Sequence, residues 1–327
     1  MAWSHRTMRA SLIAFLLLTL SFSAAGTALA ALLPLTPGNL VVTYVPDLYD
    51  TPIYIREVTS DGLLVQEMAT PFLTVEPAVG IITHSTTSLS IYYEYFTTGQ
   101  DYLSTLDITT GTWDTTRVGN PTQGQFDRDL SVVGNYAFQR DVRVSLRTRA
   151  VEFFDTGLFL GVSEVSAGLD HKLYAVTDAN PQATIQILDP ITLARIGVQK
   201  TARGENDQRL HITGISAAEN GDIFVSTYPG AVYHFDADLK LLNFSTLTVG
   251  GSFSPTTLKL YDSGMIVLGD RFGRVVVTDT TLAWRKVFQV GHDNTYAALV
   301  IPEPAAAIHC GSLGALLLAC LRRKRWP

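Results

Sequence analysis

The densest run of polar chemistry in the sequence is Arg203-Gly204-Glu205-Asn206-Asp207-Gln208-Arg209-Leu210-His211. Carboxylates and amides at this spacing can hold Ca2+ through oxygen atoms. His211 could add a nitrogen ligand, or act as an acid or a base. Three other short segments carry the same side-chain types: Glu76, Asp127 with Asp129, and His292-Asp293-Asn294. A calcium site built from these segments is one expectation. The plainer one is that they are solvated loop residues and that no cofactor is held. The sequence contains no His-Glu-x-x-His, no Gly-x-Ser-x-Gly, no phosphate-binding glycine loop and no EF-hand loop, so no residue is assigned a catalytic role.

Segments so far apart can share a site only if folded elements carry them to one place. Residues 38 to 301 alternate apolar and polar positions with period two and are rich in β-branched and aromatic side chains, which is the pattern of strands. One unit recurs. In its clearest copy, the strand 221–227 leads through a tight turn to 231–235, then to an Asp, a polar turn and an outer strand at 240–244. Comparable units span 39–68, 89–118, 135–162, 171–198 and 263–288. The residue after the second strand aligns as Thr59, Asp107, Asp155, Asp189, Asp236 and Asp279, at spacings of 48, 48, 34, 47 and 43 residues. A period of 40–50 residues with several strands per repeat predicts an all-β fold, a six-bladed β-propeller, with seven blades or a solenoid as the alternatives. The recurring Asp is expected to cap a turn, its carboxylate accepting backbone N–H groups two residues on.

Each unit after the first is preceded by a short apolar strand, at 78–83, 129–133, 164–167, 211–216 and 256–260. The first unit has none, and a spare strand, 296–301, follows the last. In a ring the spare strand would pair beside 39–44 and complete the first blade, removing two free sheet edges. The linkers between blades would then gather Glu76, Asp129, Glu205, Asp207, His211, His292 and Asp293 at one mouth of a central channel. Tyr92, Tyr93 and Tyr95 form an aromatic group. Tyr92 and Tyr93 must point to opposite sheet faces, so at least one packs in the core. The patterns at Leu130 to Phe138 and Ile212 to Val225 resemble the NHL-type and lactonase-like propellers. That resemblance implies the fold and carries no catalytic motif.

The two ends read differently from the body. Arg6 and Arg9 precede an apolar run from Leu12 to Leu20, then small residues ending in Ala28-Leu29-Ala30. This is the order of a secretion signal cleaved after Ala30 by a signal peptidase, so residues 1–30 are assigned to the signal and 31–301 to the exported domain. At the other end Pro302-Glu303-Pro304 is followed by an apolar stretch, 305–321, and by Arg322-Arg323-Lys324-Arg325. As a helix the stretch would be about 25 Å long, enough for a thin bilayer, and the basic cluster would stay on the cytoplasmic side. The three elements of 302–327, in this order at the C-terminus, resemble the PEP-CTERM sorting signal. His309 interrupts the apolar run and is a departure from that pattern. The resemblance implies that an exosortase, a membrane transpeptidase, removes the tail. The chain would be held in the inner membrane before processing, then placed at the cell surface, in the outer envelope or outside the cell.

The six basic residues of the two ends leave 18 basic against 30 acidic side chains in the body, a net charge of about −12. Such a body lacks the clustered Lys and Arg that nucleic acid requires. Both cysteines, Cys310 and Cys320, lie in the tail, so the body needs no disulfide and offers no thiolate ligand or nucleophile. Two functions from different classes remain open. One is a surface or matrix propeller that binds a polysaccharide or a surface protein without catalysis. The other is a metal-assisted propeller enzyme of lactonase or lyase type, acting on a sugar or lactone.

Overall fold

A computed structural model describes residues 32–46, 51–74, 79–95, 99–119, 130–155, 164–177, 183–247, 253–283, 285–291 and 295–299. Among them the chain is a succession of antiparallel meanders. The first is β1 (Leu40–Tyr44), β2 (Thr51–Val58) and β3 (Leu64–Thr74). The second is β4 (Gly80–Ser85), β5 (Ser88–Tyr95), β6 (Gln100–Asp107) and β7 (Thr112–Gly119). Next come β8 (Ser131–Val133), β9 (Tyr136–Gln139), β10 (Val142–Ser145) and β11 (Val151–Phe153), then β12 (Glu164–Ala167), β13 (Leu173–Thr177), β14 (Thr184–Leu188) and β15 (Arg195–Thr201). The last two are β16 (Ile212–Ala217), β17 (Ile223–Thr227), β18 (Ala231–Phe235) and β19 (Leu241–Thr246), and β20 (Pro255–Leu260), β21 (Met265–Asp270), β22 (Arg274–Asp279) and β23 (Arg285–Gln289). A final strand, β24 (Tyr296–Leu299), closes the series.

Strands β8–β11, β12–β15, β16–β19 and β20–β23 form four separate four-stranded sheets, the blades of a propeller-like ring. The other strands share one eight-stranded sheet, ordered β24-β1-β2-β3-β5-β6-β7 with β4 beside β5. A single residue pair, Thr74 with Tyr95, joins β3 to β5 in it. Within each of these blades the last strand is more exposed than the inner ones, most clearly in β16–β19. All six residues of β16 and all five of β17 are buried, whereas β19 is mostly exposed. The first strand therefore lies toward the centre of the ring, while the last faces water and tolerates either polarity.

Apolar clusters link consecutive meanders around the ring. Ile81 and Ile91 pack with Val41 and Ile55, and Tyr92 and Leu103 pack with Ala137 and Val144. Phe138 meets Val165 and Leu173, Val176 meets Ile212 and Ile215, and Phe224 meets Leu258 and Leu268. Val267 and Val275 then pack against Leu40 and Val42, which returns to the start.

The last strand closes this circle as the spare-strand argument requires. β24 pairs antiparallel with β1, Thr43 opposite Tyr296 and Leu40 opposite Leu299. Tyr296 and Ala298 enter the cluster of the eight-stranded sheet, while Ala297 enters the cluster shared with β21 and β22. Thr295 anchors the strand, its N–H donating to the Asp270 carbonyl at 2.9 Å and its own carbonyl accepting from the Thr256 hydroxyl at 2.8 Å. Gly269 lies against this carbonyl, and a Cβ there would collide with it.

The turns also follow the expectation, with one correction. The carboxylates of Asp107, Asp189, Asp236 and Asp279 accept backbone N–H groups two residues on, at 2.8–2.9 Å. Thr59 does the same with its hydroxyl. Asp155 does not belong to this series. It follows the outer strand β11 and pairs with Arg195 at 3.0 Å. The equivalent residue is Ser145, whose Oγ accepts the Thr148 N–H at 3.1 Å. The strands of this blade are three or four residues long, so its turn comes ten residues earlier than a Asp-based alignment places it.

No helix among the described residues is long and apolar enough to cross a membrane. The segments carrying Ala28 and Ala30, Pro302-Glu303-Pro304, the stretch 305–321 and Arg322-Arg323-Lys324-Arg325 lie outside the described residues.

Candidate functional site

Antiparallel meanders give the ring two faces. One carries the turns from first to second and from third to fourth strand, and is here the turn face. The other carries the remaining turns and the linkers between sheets, and is here the linker face. Of the charged segments singled out in the sequence, the described one, 203–211, belongs to the linker face. Glu205 and Asp207 lie together in a single 3-10 turn, exposed, with Asn206 and Asp207 in the left-handed region at φ 55° and 61°. Arg203 reaches the Asp207 carboxylate at 3.6 Å. His211 is also exposed. Its carbonyl accepts the Tyr228 N–H at 3.0 Å, and its ring lies 6.0 Å from the Tyr228 ring. Glu76, Asp127, Asp129, His292, Asp293 and Asn294 lie outside the described residues. Among the described residues no three His, Cys, Asp or Glu side chains are grouped to hold a metal ion.

The turn face carries a cleft of about 900 Å3 between the β16–β19 and β20–β23 sheets. Cross-strand register builds its near wall, because Phe224, His234 and Asn243 stand opposite one another on successive strands. The tight turn before β17 brings Asp222 to the same wall, its carbonyl accepting the Ala218 N–H at 2.8 Å. The Asp222 carboxylate lies 3.0 Å from His234 Nε2. The imidazole stacks on the Phe224 ring, centroids 4.2 Å apart and planes at 14°. Asn243 donates to the Thr281 carbonyl across the cleft at 2.9 Å. The far wall comes from the β20–β21 turn, with Tyr261 and Asp262, and from Thr280 and Thr281. A carboxylate-held imidazole can donate or accept a hydrogen bond according to its proton.

Leu169, Leu260, Tyr261 and Asp262 also border a second cavity, of about 560 Å3, at the mouth of the central channel. The ends of β4, β8, β12, β16 and β20 line it, presenting Thr83, His84, Ser131, Ser166, Ser216 and Lys259. Lys259 is buried and donates to the Ile81 carbonyl, an edge group of the innermost strand β4. His84 lies 2.7 Å from Ser90 Oγ, which lies 2.8 Å from Thr105 Oγ1, to which Arg149 donates at 3.2 Å. Burial, and secondarily the Arg149 charge, push the His84 pKa down to about 4. The imidazole is therefore neutral at ordinary pH. Tyr92 and Tyr93 are both core residues on opposite faces of β5, as alternation requires.

His84, Asp222 and His234 were not among the sequence candidates. Each sits within a strand or tight turn, where it reads as a structural residue. Only cross-strand register reveals that Asp222 and His234 meet.

No family model and no curated protein sequence matches the chain. Among solved structures, the chain is similar to one in a crystal structure of a nidogen/laminin complex, at 11% identity and a TM-score of 0.56, over 80% of this chain and 99% of that one. Apo AztD from Citrobacter koseri is matched at 10% identity and a TM-score of 0.44, over 79% of this chain and 98% of that one. Raptor from Chaetomium thermophilum is matched at 12% and 0.47, over 66% of this chain and 22% of that one. At these identities the first likeness supports the propeller fold and nothing finer.

Proposed function

We propose that this chain is an exported, six-bladed β-propeller that acts as a non-catalytic binding module, with the turn face as its working surface. The blade count follows from dividing the eight-stranded sheet at its single Thr74–Tyr95 pair. One part is then β24-β1-β2-β3 and the other β4–β7, each with four strands like the remaining blades. The observation that carries the binding reading is the open cleft of about 900 Å3 with its fixed Asp222–His234 pair, continuous in lining with the channel mouth. Such a volume lies in the range of ligand sites, roughly 300–1,000 Å3.

Export rests on the signal-like N-terminus, cleaved after Ala30, and on the PEP-CTERM-like tail. An exosortase is the proposed processing partner, acting at Pro302-Glu303-Pro304. β24 runs toward the turn face, since Leu299 pairs with Leu40 at the start of β1. The described chain therefore ends on the same face as the cleft.

The test is fractionation in a host that carries an exosortase. The full chain should lose its tail and remain with the cell envelope. Changing Pro302-Glu303-Pro304 to three alanines should leave an unprocessed form in the inner membrane, and normal processing of that variant would sink the sorting claim. Thr280→Trp, which fills the cleft from a partly exposed turn, should be processed normally but released from the envelope. Retention equal to that of the parent would sink the claim that this cleft binds.

A further inference from the structure

We infer that the cleft between the β16–β19 and β20–β23 sheets takes a neutral, hydroxyl-rich ligand: a short stretch of oligosaccharide. The inference rests on the binding-module reading and names the ligand class of that cleft. The first observation is the chemistry of the walls. Asn220, His234, Tyr261 and Thr280 present groups that both donate and accept hydrogen bonds, and among the described residues no Lys or Arg lines the cleft. Sugar hydroxyls have the same double character. A uronate or phosphate would face the carboxylates of Glu219, Asp222 and Asp262.

The second observation separates a sugar from a cation. Among the described residues no three acidic or His side chains gather about one point, so the carboxylates are spread along the cleft. A compact ammonium is held best where acceptors converge, whereas a sugar offers its hydroxyls around the rim of a ring. The third observation is that the polar groups are fixed before any ligand arrives. Asp222 holds His234, Phe224 stacks on it, and Asn243 is tied to Thr281. Side chains held this way lose little rotamer freedom on binding. Leu169 and Leu260 add apolar lining beside them, against which the C–H face of a sugar can pack.

The test is calorimetric titration of the purified full chain with cellohexaose, xylohexaose, mannohexaose and maltohexaose. Hexagalacturonate and hexalysine serve as charged comparisons. At least one neutral hexaose should bind, and its affinity should change less than about twofold between about 50 mM and 500 mM salt, because no ionic contact is screened. His234→Gln and Asp222→Asn should each weaken that binding at least tenfold. Thr280→Ala, a turn substitution at the far wall, should weaken it several-fold with an unchanged melting temperature, which guards against a folding artefact in the first two. Binding of hexalysine or hexagalacturonate in preference to every neutral hexaose, or no binding of any neutral hexaose, overturns the inference. Envelope retention lost in Thr280→Trp would still stand in that case, so failure here is distinguishable from failure of the module reading.

Discussion

Tyr296→Ala should weaken the whole ring, not only its last strand. Tyr296 is fully buried, and Ala297 and Ala298 beside it are too. Its ring belongs to the cluster of Val41, Ile55, Ile81 and Ile91, while the next residue, Ala297, belongs to the cluster of Val267 and Val275. One short strand thus seals two interfaces of the ring. Truncating a buried aromatic to alanine costs about 3–5 kcal/mol, against a total stability of about 5–15 kcal/mol for a typical domain. Urea unfolding followed by tryptophan fluorescence and by far-UV circular dichroism should give one transition by both probes, with the midpoint lowered and the slope unchanged. Amide hydrogen exchange should accelerate in β1, β4 and β21 as well as in β24. A loss below about 1 kcal/mol, or faster exchange confined to 295–299, would refute the argument that this strand closes the ring.

The buried Glu57 carboxylate accepts the Thr36 N–H and the Asn39 and Gln66 amides at 2.6–2.8 Å, so Glu57→Ala should cost about 2–4 kcal/mol in a melting experiment. Gly269→Ala should also lower the melting temperature, because the new methyl group collides with Thr295; overpacking of this kind costs about 1–3 kcal/mol. The His84 pKa is held at about 4, below its unfolded value of about 6.5. The unfolded chain therefore takes up the proton first, and the His84 contribution is full above pH about 6.5 and is lost as pH falls toward 4. The fall in urea midpoint over that range should be smaller in His84→Gln. The Asp107 and Asp189 carboxylates should titrate by NMR below the ordinary Asp value, Asp107 chiefly through the Thr109 hydroxyl and Asp189 chiefly through the Thr192 N–H.

Local pattern carried most of the architecture because strand period and turn chemistry are local. The innermost strand expected at 164–167 is β12 to the residue, and the surplus strand at the C-terminal end does pair with β1. The alignment failed where those signals thin out. Strands of three residues carry too few positions to show a period, and Ser145 caps a turn as well as an Asp does, so Asp155 is the more conspicuous match in the sequence although Ser145 holds the position. The cleft was less legible. Asp222 and His234 are twelve residues apart, in a turn and a strand, and their contact depends on the register of β17 against β18. Loop charge density pointed instead to Glu205, Asp207 and His211, which lie on the opposite face from the cleft.

A crystal structure of the protein soaked with the best-binding neutral hexaose tests the central claim most directly. The account predicts six innermost strands around one channel, β24 among them, with sugar hydroxyls on the turn face within hydrogen-bond distance of His234, Asn220 and Thr280. A ligand seated instead on the linker face against Glu205 and His211, or a ring with another number of blades, would contradict it.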